Sequence, residues 1–557
     1  MRADQKRSDS KAIMKFRGLA PLAEPDFRRI WSASLMSNLG QLVLGVAAAW
    51  EMTRLTNSPV MVAAVQSALM LPQMLVAVPA GAIADMFDRR KIAMSALVFS
   101  FLSATLLALL SVAGLAAPWT LLVFCFLVGG GVAMYSPSWQ ASVPEQVSTE
   151  HLPAAAALGS VSYNIARSFG PAMGGVLVMA FGTTIVFGVA AILYLPLLAA
   201  FYFWNRRHVP PRLPPERLDR AIISGIRYAA HSSPVRTVML RSVSYGVASG
   251  SVTALIPLIA KDVLHGNAGI YGLLLGAGGI GAVVGTLFIT DIRERITTDR
   301  ASALCMVIYA AMIATAAFSP YFPLSFVALL IGGAAHMIHM SLLNVSMQLS
   351  VPRWVMARAL AWYTSSIAGG IALGAWIWGN VATRLGVSHA LAAASVVLAL
   401  LALLTRVLPL RDVGQANLDV AGSRADPEVA LALSGRSGPV HVEIDYCVDP
   451  AQARAFYDAM LKVQRSRQRN GGFGWMLSRD IGDVTLWTEH FAFPTWQDYL
   501  RHRERVTEAD LALQRAATML CEDQKFAVRR RLERPFGSVR WKADTPDPSR
   551  DMLDFSA

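Results

Sequence analysis

Gly81-Ala82-Ile83-Ala84-Asp85-Met86-Phe87-Asp88-Arg89-Arg90-Lys91 sets two acidic and three basic residues between long apolar runs. One run ends near Ala84 and the next begins at Ile92. Charges this dense do not sit in hydrocarbon, where each costs about 2.5–3.5 kcal/mol at the helix centre. The stretch therefore reads as a short loop joining two membrane spans. Its Lys/Arg excess places it on the cytoplasmic side.

Composition agrees with that reading. The 557 residues are 54% hydrophobic and 16% charged, with mean hydropathy +0.44, whereas soluble domains carry about 25% charge. The charge deficit lies in apolar blocks of roughly 20 residues, the length that crosses a bilayer. The formal net charge of +13 does not point to nucleic acid, because Lys and Arg gather in short loops between alternate apolar blocks. Cys125, Cys305, Cys447 and Cys521 have no paired or metal-ligand spacing and read as small hydrophobes. No cofactor or metal motif is present, and the ATP-binding pattern Gly-x-x-x-x-Gly-Lys-Ser/Thr is absent.

The chain divides into six parts. Residues 1–29 form a basic N-terminal tail without a cleavable signal, and residues 30–205 hold six spans. Residues 206–237 form a cytoplasmic connector with Arg206, Arg207, Arg212, Arg217, Arg220, Arg227 and Arg236, and with Pro210, Pro211, Pro214 and Pro215. Residues 238–410 hold six further spans, 411–437 a linker rich in Ala, Gly, Asp and Ser, and 438–557 a compact polar domain. Two halves of six spans suggest the internal repeat of secondary transporters, about twelve helices with both termini cytoplasmic. The Ala-, Gly- and Ser-rich spans suit closely packed helices that rock against each other.

The opening loop resembles the motif between the second and third spans of the major facilitator superfamily, roughly Gly-x-Leu-Ala-Asp-Arg-x-Gly-Arg-Arg/Lys. Gly81, Ile83, Ala84, Asp85, Arg89, Arg90 and Lys91 match in order and spacing; Met86 and Asp88 depart. The resemblance implies a gating latch made by Gly81, Asp85, Arg89, Arg90 and Lys91. In it Gly81 allows helices to approach, Asp85 pairs with Arg89 or accepts from a helix N-terminus across the bundle, and Asp88 adds a charge that weakens or rewires the latch. The run Thr290-Asp291-Ile292-Arg293-Glu294-Arg295 is a degenerate echo in the second half, or simply a solvated loop. In the fifth span, Asn164-Ile165-Ala166-Arg167-Ser168-Phe169-Gly170-Pro171-Ala172-Met173-Gly174-Gly175 resembles an exporter motif of the same superfamily. There Gly170-Pro171 bends the helix and Gly174 and Gly175 allow tight packing. This resemblance is to enterobactin-type exporters and transmembrane secretion effectors. Phe27-Arg28-Arg29-Ile30-Trp31, Leu55-Thr56-Asn57-Ser58-Pro59 and Val143-Pro144-Glu145 also fit that subfamily.

Ionisable groups inside spans are costly and more often functional than decorative. Arg167 is the leading candidate for binding an anionic or oxygen-rich substrate, with interhelical hydrogen bonding as the alternative, and Asn164 lies beside it. Asn38 and Gln41 share a face of the first span and are candidate cavity residues. Glu51 either exchanges a proton or pairs with Arg54 at the interface. His336 and His339 share a face of the tenth span, where hydrogen bonding to bundle or substrate outweighs metal binding.

The polar tail reads as β-α-β-β-α-β, a ferredoxin-like order. Strands are expected at Val440–Tyr446, Phe473–Arg479, Val484–Phe493 and Phe536–Trp541, and helices after Asp449-Pro450 and from Thr495 through Met519. The tail resembles dimeric α/β-barrel domains of the antibiotic-biosynthesis-monooxygenase kind, which implies a dimerisation or ligand-sensing module more than an enzyme. His441, His490 and His502 are its catalytic candidates. The expected protein is a polytopic all-α exporter of a small organic molecule (a siderophore, antibiotic or other hydrophobic metabolite) in the plasma membrane, driven by proton antiport. The alternatives are an importer or facilitator of the same fold, or a transporter whose tail modifies its cargo.

Overall fold

The computed structural model describes residues 17–204, 218–352, 355–410 and 427–533, except 428 and 432. The chain separates into two compact units. The first is an α-helical bundle of Met1–Asp219, Thr237–Met347 and Leu360–Asp412; the second comprises Arg220–Arg236, Gln348–Ala359 and Val413–Ala557.

In the bundle, α1 (Pro25–Leu55), α2 (Pro59–Met86) and α4 (Pro118–Ser142) all begin with proline, whose fixed φ and missing N–H suit the first helical position. α1 thus starts before residue 30, with the basic Phe27–Trp31 run inside the helix. α3 (Arg89–Val112) is capped by Asp88, which accepts from the amides of Arg90 and Lys91 at 2.9 and 3.3 Å. Along α3, Leu102, Leu106 and Leu109 are exposed while Ser103, Ala104 and Leu107 are buried, so the helix is apolar on both faces. That is the surface of a helix whose solvent is lipid.

Among the described residues, eleven helices are long and apolar enough to cross a membrane. One of these stretches, Ala154–Phe203, has 50 residues, about 75 Å if straight, against a hydrocarbon core of about 30 Å. It contains α5 (Leu152–Ile192) and α6 (Leu195–Phe203), and α5 breaks at Gly182 (φ 78°, ψ 164°), a backbone region open only to glycine. The chain reverses there. The arm 152–181 runs parallel to α1: Trp31 Nε1 donates to the Leu158 carbonyl at 2.7 Å, Ser34 and Ser162 hydroxyls lie 3.2 Å apart, and Thr183 donates to Glu51 at 2.6 Å. The return arm with α6 runs antiparallel to α3, joined by Ser111–Thr184 (2.7 Å) at one end and by Arg90 on the Tyr202 carbonyl at the other.

α7 (Leu218–His231) is helical within the stretch expected as a connector, and α8 (Ser233–Leu258) begins before residue 238. Then follow α9 (Ala268–Leu287), a short α10 (Ile289–Arg295), α11 (Thr298–Phe318), α12 (Phe322–Leu349), α13 (Met356–Leu385) and α14 (Val387–Val407). The packing of the first half recurs in the second. α1 beside the first arm of α5 is matched by α8 beside α13, where Gly246 meets Ile367 and Gly370, and Gly250 meets Ile371 and Ala375. α2 beside α4, with Gly129 against Leu69, is matched by α9 beside α12, with Gly281 against Leu330.

In the second unit, β1 (Val440–Val448), α15 (Ala453–Arg469), β2 (Phe473–Arg479), β3 (Leu486–Phe493), α16 (Trp496–Arg505), α17 (Glu508–Thr518) and β4 (Cys521–Leu532) form one sheet in the order β2-β3-β1-β4. Every pairing is antiparallel. The expected helix over Thr495–Met519 is two helices, because Thr507 opens α17 with a reciprocal capping box to Asp510. The last strand is Cys521–Leu532; the expected strand at Phe536–Trp541 lies outside the described residues. α7 belongs to this unit, where Arg227 donates to the Gly471 carbonyl at 3.0 Å and Arg469 lies 5.7 Å over the Tyr228 ring.

Candidate functional site

The charged loop is a set of helix-end contacts. Arg89 donates to the Glu145 carboxylate at 3.0 Å and to the Ala141 carbonyl at 2.7 Å, tying α3 to the end of α4. Arg90 reaches α6, and Lys91 is exposed. Glu145 is thus one partner of Arg89; the side chain of Asp85, its expected partner, lies outside the described residues. Asp88 caps α3 through the amides of Arg90 and Lys91. The expectation for Gly81 is corrected: a Cβ built there meets no described atom within 4 Å, so close helix approach does not require it.

The fifth-span motif does the close packing. Gly170 lies against Leu42, and Gly174 against Val43 and Val46 of α1, while a Cβ on Gly175 would stand 2.6 Å from the Ala268 carbonyl and 2.7 Å from Gly272 Cα of α9. Ser168 with Gly279, Ala172 with Gly276, Gly175 with Gly272 and Met179 with Gly269 make an antiparallel seam between the halves. The helix continues through Pro171; its one non-helical residue is Gly182. A second seam joins α2 to α13, with Ser67 on the Ala372 carbonyl (2.8 Å) and Ser365 on the Met74 carbonyl (2.5 Å). At the end opposite Arg89, Lys261 donates to the Thr53 carbonyl (2.6 Å) and Trp50 stacks on Tyr271 at 6.1 Å.

Arg167 stands between these ends, fifteen residues from Leu152 and fifteen from Gly182. It is half-buried and makes no hydrogen bond or ion pair with any described residue. Across from it the second half supplies Tyr245 of α8, Tyr309 of α11, His336 of α12 and Tyr363 of α13, all within electrostatic reach of its guanidinium. Tyr245, Tyr309 and His336 also sit near the middle of their helices. Tyr245 Oη lies 2.7 Å from His336 Nδ1, and the Tyr309 ring lies 5.3 Å from that imidazole. A cation thus faces hydroxyls, an imidazole and aromatic faces with no carboxylate among them. Chemically, that combination can pair with a planar oxyanion or an oxygen-rich aromatic.

The other expected span residues take separate places. Asn38 donates to Ser162 at 3.4 Å in the α1–α5 contact. Gln41 and Asn164 are half-buried, and their side chains make no hydrogen bond with a described residue. Glu51 lies at the far end, accepting from Arg54 (3.2 Å) and Thr183. His339 is 1% exposed, with Nδ1 3.1 Å from Ser302. Its unpartnered Nε2 belongs to a ring that lines a cavity of about 10 Å³ with Arg241, Ser244 and Tyr245, room for one water. Among the described residues, no group of three or more His, Cys, Asp or Glu is placed to hold a metal.

Sequence reasoning missed the tyrosines and a buried charge clamp. Arg241, 5% exposed, bonds Asp299 (2.5 Å), Ser302 (2.5 Å) and the Leu408 carbonyl (3.2 Å), while Asp299 accepts from the Leu410 amide. The clamp gathers the ends of α8, α11 and α14; the expected echo, residues 290–295, lies in α10 beside it. The available signal was an Arg one turn inside a span and an Asp in the first turn of another.

In the sheet unit, His441 and His490 lie 3.0 Å apart on the face away from the helices, and His441 Nε2 lies 3.1 Å from Glu533. His502 is on the other side, packed on Phe493 at 4.7 Å. The three candidates therefore do not converge. Glu489 is fully buried and accepts from Arg467 (3.1 and 3.3 Å), Tyr446 (3.0 Å) and Trp475 (2.9 Å). All its acceptor positions are used, as in a structural network rather than a general base.

The sequence profile of the family described as transmembrane secretion effector matches residues 16–535. The Staphyloferrin A transporter of Staphylococcus aureus is 24% identical over 269 residues, 48% of this chain and 67% of that protein. The Enterobactin exporter EntS of Citrobacter koseri is 26% identical over 369 residues, 64% of this chain and 85% of that one. Among solved structures, a bacterial homologue of the human lysosomal transporter Spinster, inward-facing and unoccupied, matches with TM-score 0.54 and 14% identity over 69% of this chain and 97% of its own. The nucleoside transporter NupG matches with TM-score 0.53 and 13% identity over 69% and 99%. Both likenesses concern the fold.

Proposed function

This chain belongs to the transmembrane secretion effector family of major facilitator superfamily transporters, and from that premise we propose that it exports a small anionic organic molecule by alternating access. The observation that carries the anionic class is Arg167: a cation at mid-depth, without a carboxylate partner, facing Tyr245, Tyr309, His336 and Tyr363 of the other half. An unneutralised cation in a span is expensive, and a site that waits for an anion accounts for keeping it. The printed names of the two relatives, a staphyloferrin A transporter and an enterobactin exporter, support a siderophore-like cargo and outward movement.

The small-residue seams supply surfaces on which the halves rock, and the contacts of Lys261 with Thr53 and of Trp50 with Tyr271 close one end. In this reading the Arg89 end is cytoplasmic, the membrane is the plasma membrane, both termini are inside, and the proton gradient takes part. The sheet unit is read as a ferredoxin-like module of the dimeric α/β-barrel kind that pairs copies or senses ligand. Its order β2-β3-β1-β4 and its saturated Glu489 support that role over catalysis.

Comparing metabolites of wild-type and deletion cells tests the reading. An anionic compound should build up inside deletion cells and return to the medium with the wild-type gene but not with Arg167→Gln. Equal export by Arg167→Gln would remove the site assignment.

A further inference from the structure

His441 of β1 and His490 of β3 stand on the face of the sheet away from the helices, and export makes no use of them. His441 Nδ1 and His490 Nε2 lie 3.0 Å apart, and the two ring centroids 5.1 Å apart. Around an ion with metal–N bonds of about 2.0 Å, two imidazole nitrogens stand about 2.8 Å apart at a right angle and about 3.3 Å at the tetrahedral angle, with ring centres about 5 Å apart. The pair already has the spacing of a chelate. Glu533 completes the arrangement. Its amide donates to the Pro439 carbonyl at 2.9 Å, which holds it beside the start of β1, and its carboxylate lies 3.1 Å from His441 Nε2. A carboxylate on that nitrogen orients the ring, keeps the hydrogen on Nε2 and leaves the Nδ1 lone pair towards His490, as in a carboxylate–histidine–metal triad.

The surroundings admit a cation. Glu443 lies opposite His490 in the β1–β3 register, and Arg531, opposite His441 in the β1–β4 register, is held by Glu443 at 3.1 Å. The side chains of His441 and Glu533 are 27% and 38% exposed, so an ion reaches the pair from solvent. We propose that His441 Nδ1 and His490 Nε2 bind a divalent transition ion that favours imidazole, such as Zn2+ or Cu2+, with Glu533 as the residue that positions His441. Among the described residues no third His, Cys, Asp or Glu joins them as a ligand, so water completes the shell. The ion takes the place of the hydrogen between the two rings, which passes through solvent to His490 Nδ1. With two protein ligands the ion exchanges with solvent, unlike a structural zinc held by four. The site stands on the geometry of the sheet unit and is independent of the anion site at Arg167.

The test uses purified full-length protein with its affinity tag removed. It is titrated with ZnCl2 in a non-chelating buffer and, separately, loaded with Cu2+ for electron paramagnetic resonance. Zn2+ should bind at one ion per chain, and the Cu2+ spectrum should show two imidazole nitrogens. His441→Asn and His490→Asn should each weaken Zn2+ binding by at least about tenfold, and Glu533→Ala by about ten- to a hundredfold. His389→Asn, at an exposed histidine of the bundle, should leave it unchanged. No Zn2+ binding by folded wild-type protein, unchanged affinity in both histidine variants, or a Cu2+ spectrum with fewer than two nitrogens would overturn the site and leave the pair as a hydrogen bond. Unchanged affinity in Glu533→Ala would overturn the positioning role.

Discussion

The Ser168 hydroxyl donates to the Gly279 carbonyl at 2.9 Å, joining a side chain of the first half to the backbone of the second. A Cβ on Gly279 would stand 2.4 Å from Ser168 Cα, so this seam admits no side chain there. Overpacking costs about 1–3 kcal/mol, which is roughly a five- to 150-fold shift in a two-state population. Gly279→Val should therefore lower transport by at least about fivefold in vesicles. Gly81→Ala, in open space, should leave it unchanged. Equal rates for Gly279→Val and wild type would remove the seam from the transport cycle.

A carboxylate oxygen of Asp88 caps α3 at the Arg90 and Lys91 amides. Asp88→Ala should cost about 1 kcal/mol of bundle stability and Asp88→Ser only a few tenths. Thermal unfolding in detergent checks this; equal losses for Ser and Ala would point to the charge instead.

Glu489 is the buried acceptor for Arg467, Tyr446 and Trp475. Glu489→Leu strands a buried guanidinium, a change that costs about 3–5 kcal/mol. Hydrogen exchange in the full-length protein should show β1 and β3 losing protection while the bundle keeps it. Unaltered protection would mean that the network stabilises little.

Burial, and then the nearby Arg467, lower the His502 pKa from 6.5 to about 3. Between those values the unfolded chain binds a proton that the folded unit refuses, so stability rises with pH and is lost on acidification from about 6.5 towards 3. The effect is on the order of 5 kcal/mol at its limit. Asp510 acts in the same direction at lower pH: burial opposes its charge, but Arg469 and the Ser466 and Thr507 hydrogen bonds outweigh that and hold its pKa below the usual value. His502→Phe should flatten the upper part of the profile, measured by hydrogen exchange of β3 against pH.

The membrane bundle was legible because lipid imposes a simple rule: spans must be apolar for their whole length, and charges mark the loops. The first three strands were legible for a related reason, seen in the alternation of Val440, Val442 and Ile444 with His441 and Glu443, whereas β4 at Cys521–Leu532 was not among the expected strands. Their limits were not. Thr507 cuts one helix into two through a local cap, and the last strand begins at Cys521 because that segment pairs with β1.

The candidate site divides along the same line. The sequence by itself determined that Arg167, His336 and the Gly170–Gly175 run lie inside spans, since hydropathy and spacing along one helix are local properties. Only the tertiary structure decided their company. It set Arg167 opposite Tyr245 and His336, gave Arg89 to Glu145 and Arg241 to Asp299, and left the motif glycine Gly81 in open space while Gly175 took the tight contact. Those pairings depend on which helices meet and on the depth at which they cross, and packing between segments distant in the chain fixes both.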